Sequence, residues 1–217
     1  VARRGRDSAV QVVAFGLGLT VLLLLTLVRT DLLEGWRQTL DEDAPNHFLI
    51  NIQPHEVEPL GEYFADSGLD VPVFTPLVRA RMTTINGESV KDRQYPSRDG
   101  QWLTNREANL SWTAEMSSSN ELVAGEWWPI DYDGPPLVSI EEDAAADTGL
   151  VVGDRLSFTV AGQIVEAELT SIRKVNWDSF QPNFFIVLSP GALDGMPTTY
   201  ISSMRIEEAK QPMLVQL

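Results

Sequence analysis

The chain opens with an apolar run that differs from everything after it. Between Ala9 and Val28 every side chain is uncharged, and only Gln11, Thr20 and Thr26 are polar. Twenty helical residues with a rise of ~1.5 Å each span ~30 Å, the thickness of the hydrocarbon core of a bilayer. The run therefore predicts a transmembrane helix.

Apolar residues continue at helical spacing beyond this run. They are Leu32, Leu33, Trp36 and Leu40. This spacing predicts that the helix continues as a stalk over Arg29–Leu40, with Trp36 near the membrane interface. Pro45 disfavours helix at the residue before it, so we expect the helix to end within the acidic stretch that precedes this proline. Residues 1–43 then form the cytoplasmic flank, transmembrane helix and stalk.

The charges beside the run predict its orientation. Arg3, Arg4 and Arg6 precede it, whereas acidic residues predominate after Asp31. Basic residues next to a spanning segment tend to stay in the cytoplasm, so we expect a plasma (inner) membrane protein whose amino terminus is cytoplasmic and whose residues after about 31 are extracytoplasmic or periplasmic. A cleaved signal peptide is the alternative. The length of the run and the lack of a small-x-small cleavage site favour a retained helix.

Residues 44–135 show strand and helix patterns in turn. His47–Ile52 has the length and composition of a strand, and apolar spacings after Pro54 predict a helix that reaches about Leu69. Val71–Thr84 predicts a second strand that its prolines bend or delay, and Asn86–Gly87 is a strong hairpin-turn signal. Strand, helix, strand and turn together predict an α+β unit with the helix packed on one face of the sheet.

Residues 91–128 are predicted to contain less regular structure than the segment before them. Lys91–Gln101 is interpreted as a loop, Leu110–Thr113 as a strand, and Met116–Glu121 as a polar connection. Trp127 and Trp128 precede a proline, a position typical of aromatic residues that seal the edge of a core.

Residues 136–204 are predicted to form a β-rich subdomain. A strand at Pro136–Ile140 is followed by a helix over Glu141–Leu150, whose acidic first turn suits the helix dipole and whose Gly149 is a stop signal. Alternating apolar and polar positions then predict strands at 155–160, 164–172, 183–188 and 200–206. We expect residues 205–217 to begin a returning strand or helix.

The composition narrows the possible partners. The 217 residues include 31 acidic and 16 basic ones. From Ala44 onward there are 25 acidic and 11 basic residues, a net charge of −14 that disfavours both nucleic acid and anionic lipid headgroups as partners. With no cysteine, an extracytoplasmic domain must depend on its hydrophobic core. The chain begins with Val and stops in mid-pattern at 213–217, so we expect a piece of a longer polypeptide.

The sequence contains no catalytic constellation that we recognise. His47 and His55 are the only histidines, and they lack the spacing of a metal site. No Gly-x-Ser-x-Gly elbow and no Walker or Rossmann pattern occurs. The acidic cluster Glu141–Asp143 is interpreted as a helix amino terminus on a solvated face. We therefore predict no catalytic, cofactor-binding or metal-binding residue and no enzymatic activity.

Two segments carry a resemblance to a known family. The run Gly149–Gly162 (GLVVGDRLSFTVAG) resembles a stretch in the extracytoplasmic domains of FtsX-like ABC transporter permeases, the MacB-type periplasmic core. The segment Leu169–Leu188 (LTSIRKVNWDSFQPNFFIVL) is similar to the YbbP-like branch of these permeases. The resemblance implies a transmembrane helix followed by an α+β, porter-like domain that carries the β-rich subdomain.

The resemblance also implies a function. It suggests a non-catalytic permease subunit, present here as a fragment with one transmembrane helix. The extracytoplasmic domain of such a subunit would couple ATP-driven helix movement to the extrusion or extraction of hydrophobic or lipid-like cargo. The implied partners are a cytoplasmic ABC ATPase subunit, the lipid bilayer, the cargo, and a second copy or second permease half. Gly16, Gly18, Thr20 and Thr26 would then be helix-packing residues.

Two other functions stay open at this point. The first is a single-pass membrane-anchored binding module, in which four aromatic residues would line an apolar cleft. These are Trp127, Trp128, Trp177 and Phe180. The second is an anchored enzyme such as a hydrolase, for which the sequence offers no nucleophile–base pair.

Overall fold

The computed structural model describes residues 2–39, 44–207 and 210, with side chains described from residue 11 to residue 32 and from residue 44 onward. It divides into two compact units, residues 1–42 and 43–217. The predicted end of the stalk at Leu40, the predicted position of the Trp36 side chain near the membrane interface, and residues 208–209 and 211–217 of the return predicted for 205–217 lie outside the described residues.

The first unit is a helix, α1 (Ala2–Thr39). Within it, Gln11–Leu32 is long and apolar enough to cross a bilayer, a criterion that a signal sequence near an amino terminus also meets. The apolar side chains of this span are exposed, as lipid-facing residues would be. The hydroxyl of Thr20 donates to the carbonyl of Gly16, and that of Thr26 to Leu22, both at 2.8 Å, so these polar groups are satisfied inside the helix.

The second unit contains three helices and ten strands in the described part of the chain. The helices are α2 (Pro54–Asp66), α3 (Arg98–Asn105) and α4 (Glu142–Thr148). The strands are β1 (His47–Ile52), β2 (Thr75–Ile85), β3 (Glu88–Ser89), β4 (Ala108–Trp112), β5 (Asn120–Gly125), β6 (Leu137–Glu141), β7 (Arg155–Val160), β8 (Gln163–Val175), β9 (Ile186–Leu188) and β10 (Thr199–Met204). The predicted α+β class is confirmed as a mixed fold with an apolar amino-terminal helix and a sheet-rich body.

The strands pair in the order β1-β10-β2-β4-β9-β6-β8-β5, while β7 pairs with both β2 and β8. Strands β2, β4, β9, β6, β8 and β7 therefore form a closed ring of pairings. The largest buried cluster takes residues from all six of these strands, as a closed ring would bury in its interior. The predicted parts 44–135 and 136–204 both contribute strands to the ring, and the division between them stays a prediction.

Several local predictions are confirmed. Strands β1 and β7 have the predicted bounds. Asn86 (φ 53°) and Gly87 (φ 81°) are both left-handed, as a type I′ hairpin between β2 and β3 requires. Helix α4 ends at Gly149, whose φ of 68° is a left-handed cap.

Several predicted bounds are wrong. The loop predicted for Lys91–Gln101 contains the start of α3, where the Ser97 side chain caps the helix by accepting the N–H of Gly100 at 3.0 Å. The connection predicted to end at Glu121 overlaps the start of β5, which pairs with the end of β8. The strand predicted for 183–188 begins only at Ile186, because the preceding residues belong to a loop.

Candidate functional site

The middle of the segment Leu169–Leu188, which resembles the YbbP-like permeases, forms a loop between β8 and β9, here called the motif loop (residues 176–185). It opens with Asn176, whose side chain accepts the N–H of Asp178 at 3.1 Å and begins a 3₁₀ turn over Trp177–Ser179. Phe180 follows in the left-handed region, with φ of 54°. Near its other end, the Asn183 amide donates to the Ser119 hydroxyl at 3.3 Å. Side-chain hydrogen bonds therefore hold much of this loop.

Arg173 connects the motif loop to the sheet. Its guanidinium donates to the Ser139 hydroxyl on β6 at 3.3 Å and to the carbonyl of Phe184 in the motif loop. The residue is fully buried, and its Nε has no hydrogen-bond partner. Burial lowers the pKa of Arg173 to about 10, and the charge of Glu141 opposes this shift. The buried guanidinium of Arg173 therefore lies next to the motif loop, and its hydrogen bonds within the protein replace only part of the hydration that it would have in water.

Glu141 lies opposite Arg173 in the parallel pairing of β6 and β8. Its carboxylate accepts the N–H of Ala144 at 2.8 Å and so caps α4. The prediction that this acidic residue lies on a solvated face is wrong, because Glu141 is 3% exposed, although Asp143 beside it is exposed. The opposite charges of Glu141 and Arg173 in two apolar strands were the available signal, and the parallel pairing that joins them is tertiary.

Two cavities adjoin the motif loop, and Asn183 and Phe184 line both. The first cavity, of about 300 Å³, is mostly apolar and also includes Trp177, Phe185 and residues of α3 and α4. The second cavity, of about 660 Å³, is rich in hydroxyl and amide side chains and includes Arg173 in its wall. The loop therefore contributes to the walls of both cavities, and the second of them has the larger share of hydroxyl and amide side chains.

The four aromatic residues proposed for one cleft have different surroundings. Trp127 lines the second cavity and Trp177 the first. Trp128 is buried with Phe184, and its indole donates to the Thr113 carbonyl at 2.9 Å. Its ring lies 4.0 Å from that of Trp127, so the tryptophan pair closes the edge of a small core, as predicted. Trp177 and Phe180 are part-exposed.

The other family-like run has a structural role. The buried carboxylate of Asp154 accepts the amide N–H of Asn86 at 2.8 Å and the backbone N–H of Val151 at 2.9 Å. Asn86 in turn accepts the N–H of Arg155 at 2.8 Å. The predicted turn before β7 is therefore tied to the hairpin turn between β2 and β3.

Metal chemistry has no candidate among the described residues, where no group of three or more His, Asp or Glu side chains is placed to hold an ion. The ring of His47 instead lies 2.7 Å from the Asn46 side-chain oxygen.

No family model matches the chain. A curated protein with similar sequence is an ABC transporter permease, the class that the two segments indicated. It is YbbP of Escherichia coli K12, described as uncharacterized, to which this chain is 39% identical over 207 residues. The match covers 95% of this chain but 24% of YbbP, so the chain spans about a quarter of its relative. The predicted resemblance to YbbP-like permeases is confirmed.

Proposed function

We propose that this chain is part of the permease subunit of an ABC transporter and acts without catalysing a reaction. The observation that carries the proposal is the 39% identity to an ABC transporter permease over 95% of the chain. The apolar helix within α1 supports a place in the inner membrane. A permease of this class works with an ATPase subunit. In this proposal ATP is hydrolysed by a separate, cytoplasmic partner chain.

Helix α1 connects the membrane to the extracytoplasmic side in this proposal. Its 38 residues extend ~57 Å, almost twice the thickness of the hydrocarbon core. The arginines at positions 3, 4 and 6 hold its amino terminus in the cytoplasm. A helix without a break transmits a displacement along its axis, so ATP-driven movement on the cytoplasmic side would reach the second unit.

The second unit is then the porter-like, MacB-type periplasmic core. Its movement relative to a second copy or second permease half would extract or extrude a hydrophobic, lipid-like cargo. The mostly apolar first cavity supports this cargo class, since such spaces bind apolar groups.

The first test is the reading frame that encodes this chain. We expect further transmembrane spans beyond these residues and a neighbouring gene for an ABC ATPase that copurifies with the full-length permease. A complete single-span gene with no ATPase partner would contradict the proposal.

The second test addresses the coupling. In the full-length permease, three glycines are inserted between Thr30 and Asp31, and three alanines at the same point serve as the control. Both insertions change the length equally, but only glycine interrupts the helix, since it costs ~1 kcal/mol per residue relative to alanine. The measurement is ATP-dependent hydrogen exchange in residues 44–207. We expect the glycine variant to lose the ATP-dependent change and the alanine variant to keep more of it, and equal responses would refute a transmitting role.

A single-pass anchored binding module is the second candidate, and the first cavity of about 300 Å³ favours it. The purified chain would then retain or bind an apolar ligand without an ATPase. Binding that depends on Trp177, in a protein whose gene encodes no further span, would support this candidate over the permease.

A further inference from the structure

The first cavity has walls without free polar side chains. Buried and part-buried apolar residues from β2, α3, β4, α4 and β9 line it, namely Met82, Leu103, Ala108, Ala144 and Ile186. Two buried threonines lie among them. The Thr104 hydroxyl donates to the carbonyl of Gly100 at 3.0 Å, and the Thr148 hydroxyl donates to the carbonyl of Ala144. Both hydroxyl protons are therefore used inside the helices that carry them.

Water is poorly held in a space of this kind. A buried water typically makes about three hydrogen bonds to polar groups that would otherwise lack a partner. In the described part of the chain, buried side-chain atoms without a partner occur in Thr170, Ser171 and Arg173, and none of these residues lines the first cavity. The buried part of the cavity therefore favours an apolar occupant over water.

The rim of the first cavity has a different chemistry. Trp177 and Phe185 are exposed there, with their ring centroids 4.9 Å apart. Arg106 and Glu107 are also exposed and are the charged residues of the lining, so one cation is balanced by one anion. The Arg106 guanidinium lies 3.4 Å from the centre of the Trp102 ring, which fixes its position. In a domain with a net charge of −14, such a balanced rim suits an uncharged polar group better than an anion.

The volume of the first cavity limits the size of the occupant. About 300 Å³ is at the lower end of the range for ligand pockets. A methylene group is roughly as large as a water molecule, whose share of liquid volume is ~30 Å³, so the cavity has room for about ten methylene groups. A flexible chain of this length fits, whereas a rigid steroid is too large.

We propose that the first cavity binds one acyl chain of about ten carbons that carries an uncharged polar head. The chain would lie against the buried walls, and the head would lie at the rim beside Arg106 and Glu107. The apolar span of α1 would keep this chain at a bilayer, which is a source of such molecules. The proposal names the ligand class for the cavity, and its meaning for transport rests on the proposed function.

The experiment is photolabelling of the full 217-residue chain in digitonin, a detergent whose rigid steroid tail exceeds the cavity. The probe is monodecanoylglycerol with a diazirine near the end of its acyl chain, and labelled residues are identified by mass spectrometry. Unlabelled monodecanoylglycerol and sodium decanoate are the competitors. We expect saturable labelling of wall residues such as Met82 and Ala144, and competition by decanoate that is weaker by ~3-fold or more at low salt.

A cavity-filling variant tests the location. Ala108 is part-buried on β4 and lines the cavity, so the ring in Ala108→Phe would take up space that the acyl chain needs. This variant should lower saturable labelling by ~5-fold or more. Ala124→Phe is the matched control, because Ala124 lies in a strand, is exposed and lines neither of the two cavities. Trp177→Ala, at the exposed rim, leaves the buried walls unchanged and should lower labelling by ~2- to 3-fold.

Labelling that does not saturate, or that lies outside the cavity walls, would overturn the proposal. Equal labelling of the wild type, Ala108→Phe and Trp177→Ala would do the same, and decanoate that competes as well as the uncharged ester would refute the assigned head. These measurements need no ATPase. Their failure would leave the permease role intact, and the lack of an ATPase partner would leave the lipid site intact.

Discussion

The contact between α3 and α4 gives the sharpest prediction from this structure, because it depends on one glycine. Gly100 lies in α3 and is buried. A Cβ at this position would lie 2.0 Å from the carbonyl oxygen of Asp147 and 2.6 Å from its carbonyl carbon, both in α4. The two helix backbones therefore approach more closely than any side chain at residue 100 allows.

The size of the effect follows from two opposing contributions. Alanine is favoured over glycine in a helix by about 1 kcal/mol. Relieving the overlap in Gly100→Ala requires the helices to separate by about 1 Å, and overpacking of this kind costs about 1–3 kcal/mol, with backbone atoms at the upper end or beyond. We expect a net loss of about 2 kcal/mol, which lowers the melting temperature by about 4–8 °C in a domain of this size.

The assay is thermal unfolding of the full chain in detergent, followed by tryptophan fluorescence. Gly61→Ala is the matched control, because Gly61 also lies in a helix but a Cβ there would meet only Cγ1 of Val71, at an ordinary distance of 3.8 Å. That variant should gain about 0.5–1 kcal/mol. A Gly100→Ala variant as stable as the wild type would refute the inferred close contact of α3 and α4.

Two further substitutions test the family-like segments, with the same unfolding measurement. Asp154→Ala removes the acceptor for Asn86 and for the Val151 N–H. It should cost about 1.5–3 kcal/mol, whereas Asp154→Asn, which retains one oxygen, should cost less, and equal losses would contradict the assigned hydrogen bonds. Trp177→Ala removes a half-exposed ring that lies 4.9 Å from that of Phe185 and should cost only about 1 kcal/mol. A loss above about 3 kcal/mol would mean that Trp177 belongs to the core.

Elements with a strong local pattern could be predicted from the sequence. β7 alternates apolar and polar residues with one face in the core, and this pattern fixed both of its ends correctly. The hairpin turn at Asn86–Gly87 and the cap at Gly149 were recognisable because their left-handed backbone favours these residue types. In each case the interaction that selects the structure lies within a few residues.

Elements that depend on distant contacts could not be predicted. α3 is short, contains Gly100, and is stabilised where it packs against α4, so its sequence resembles a loop. The strand expected from residue 183 begins later, and the Phe184 carbonyl accepts from Arg173 instead of from a neighbouring strand. The pairing of β6 with β8, which sets Glu141 opposite Arg173, has no local signal.

Distant contacts of the same kind also hold the motif loop in place. Its residues 176–185 contribute few ladder hydrogen bonds, so the loop depends on side-chain contacts, of which the buried link from Arg173 to Phe184 is central. A loop that is held mainly by side-chain contacts has a lower free energy of local opening than a strand paired within a sheet. Because Asn183 and Phe184 line both cavities, a displacement of the loop would change the two cavities together.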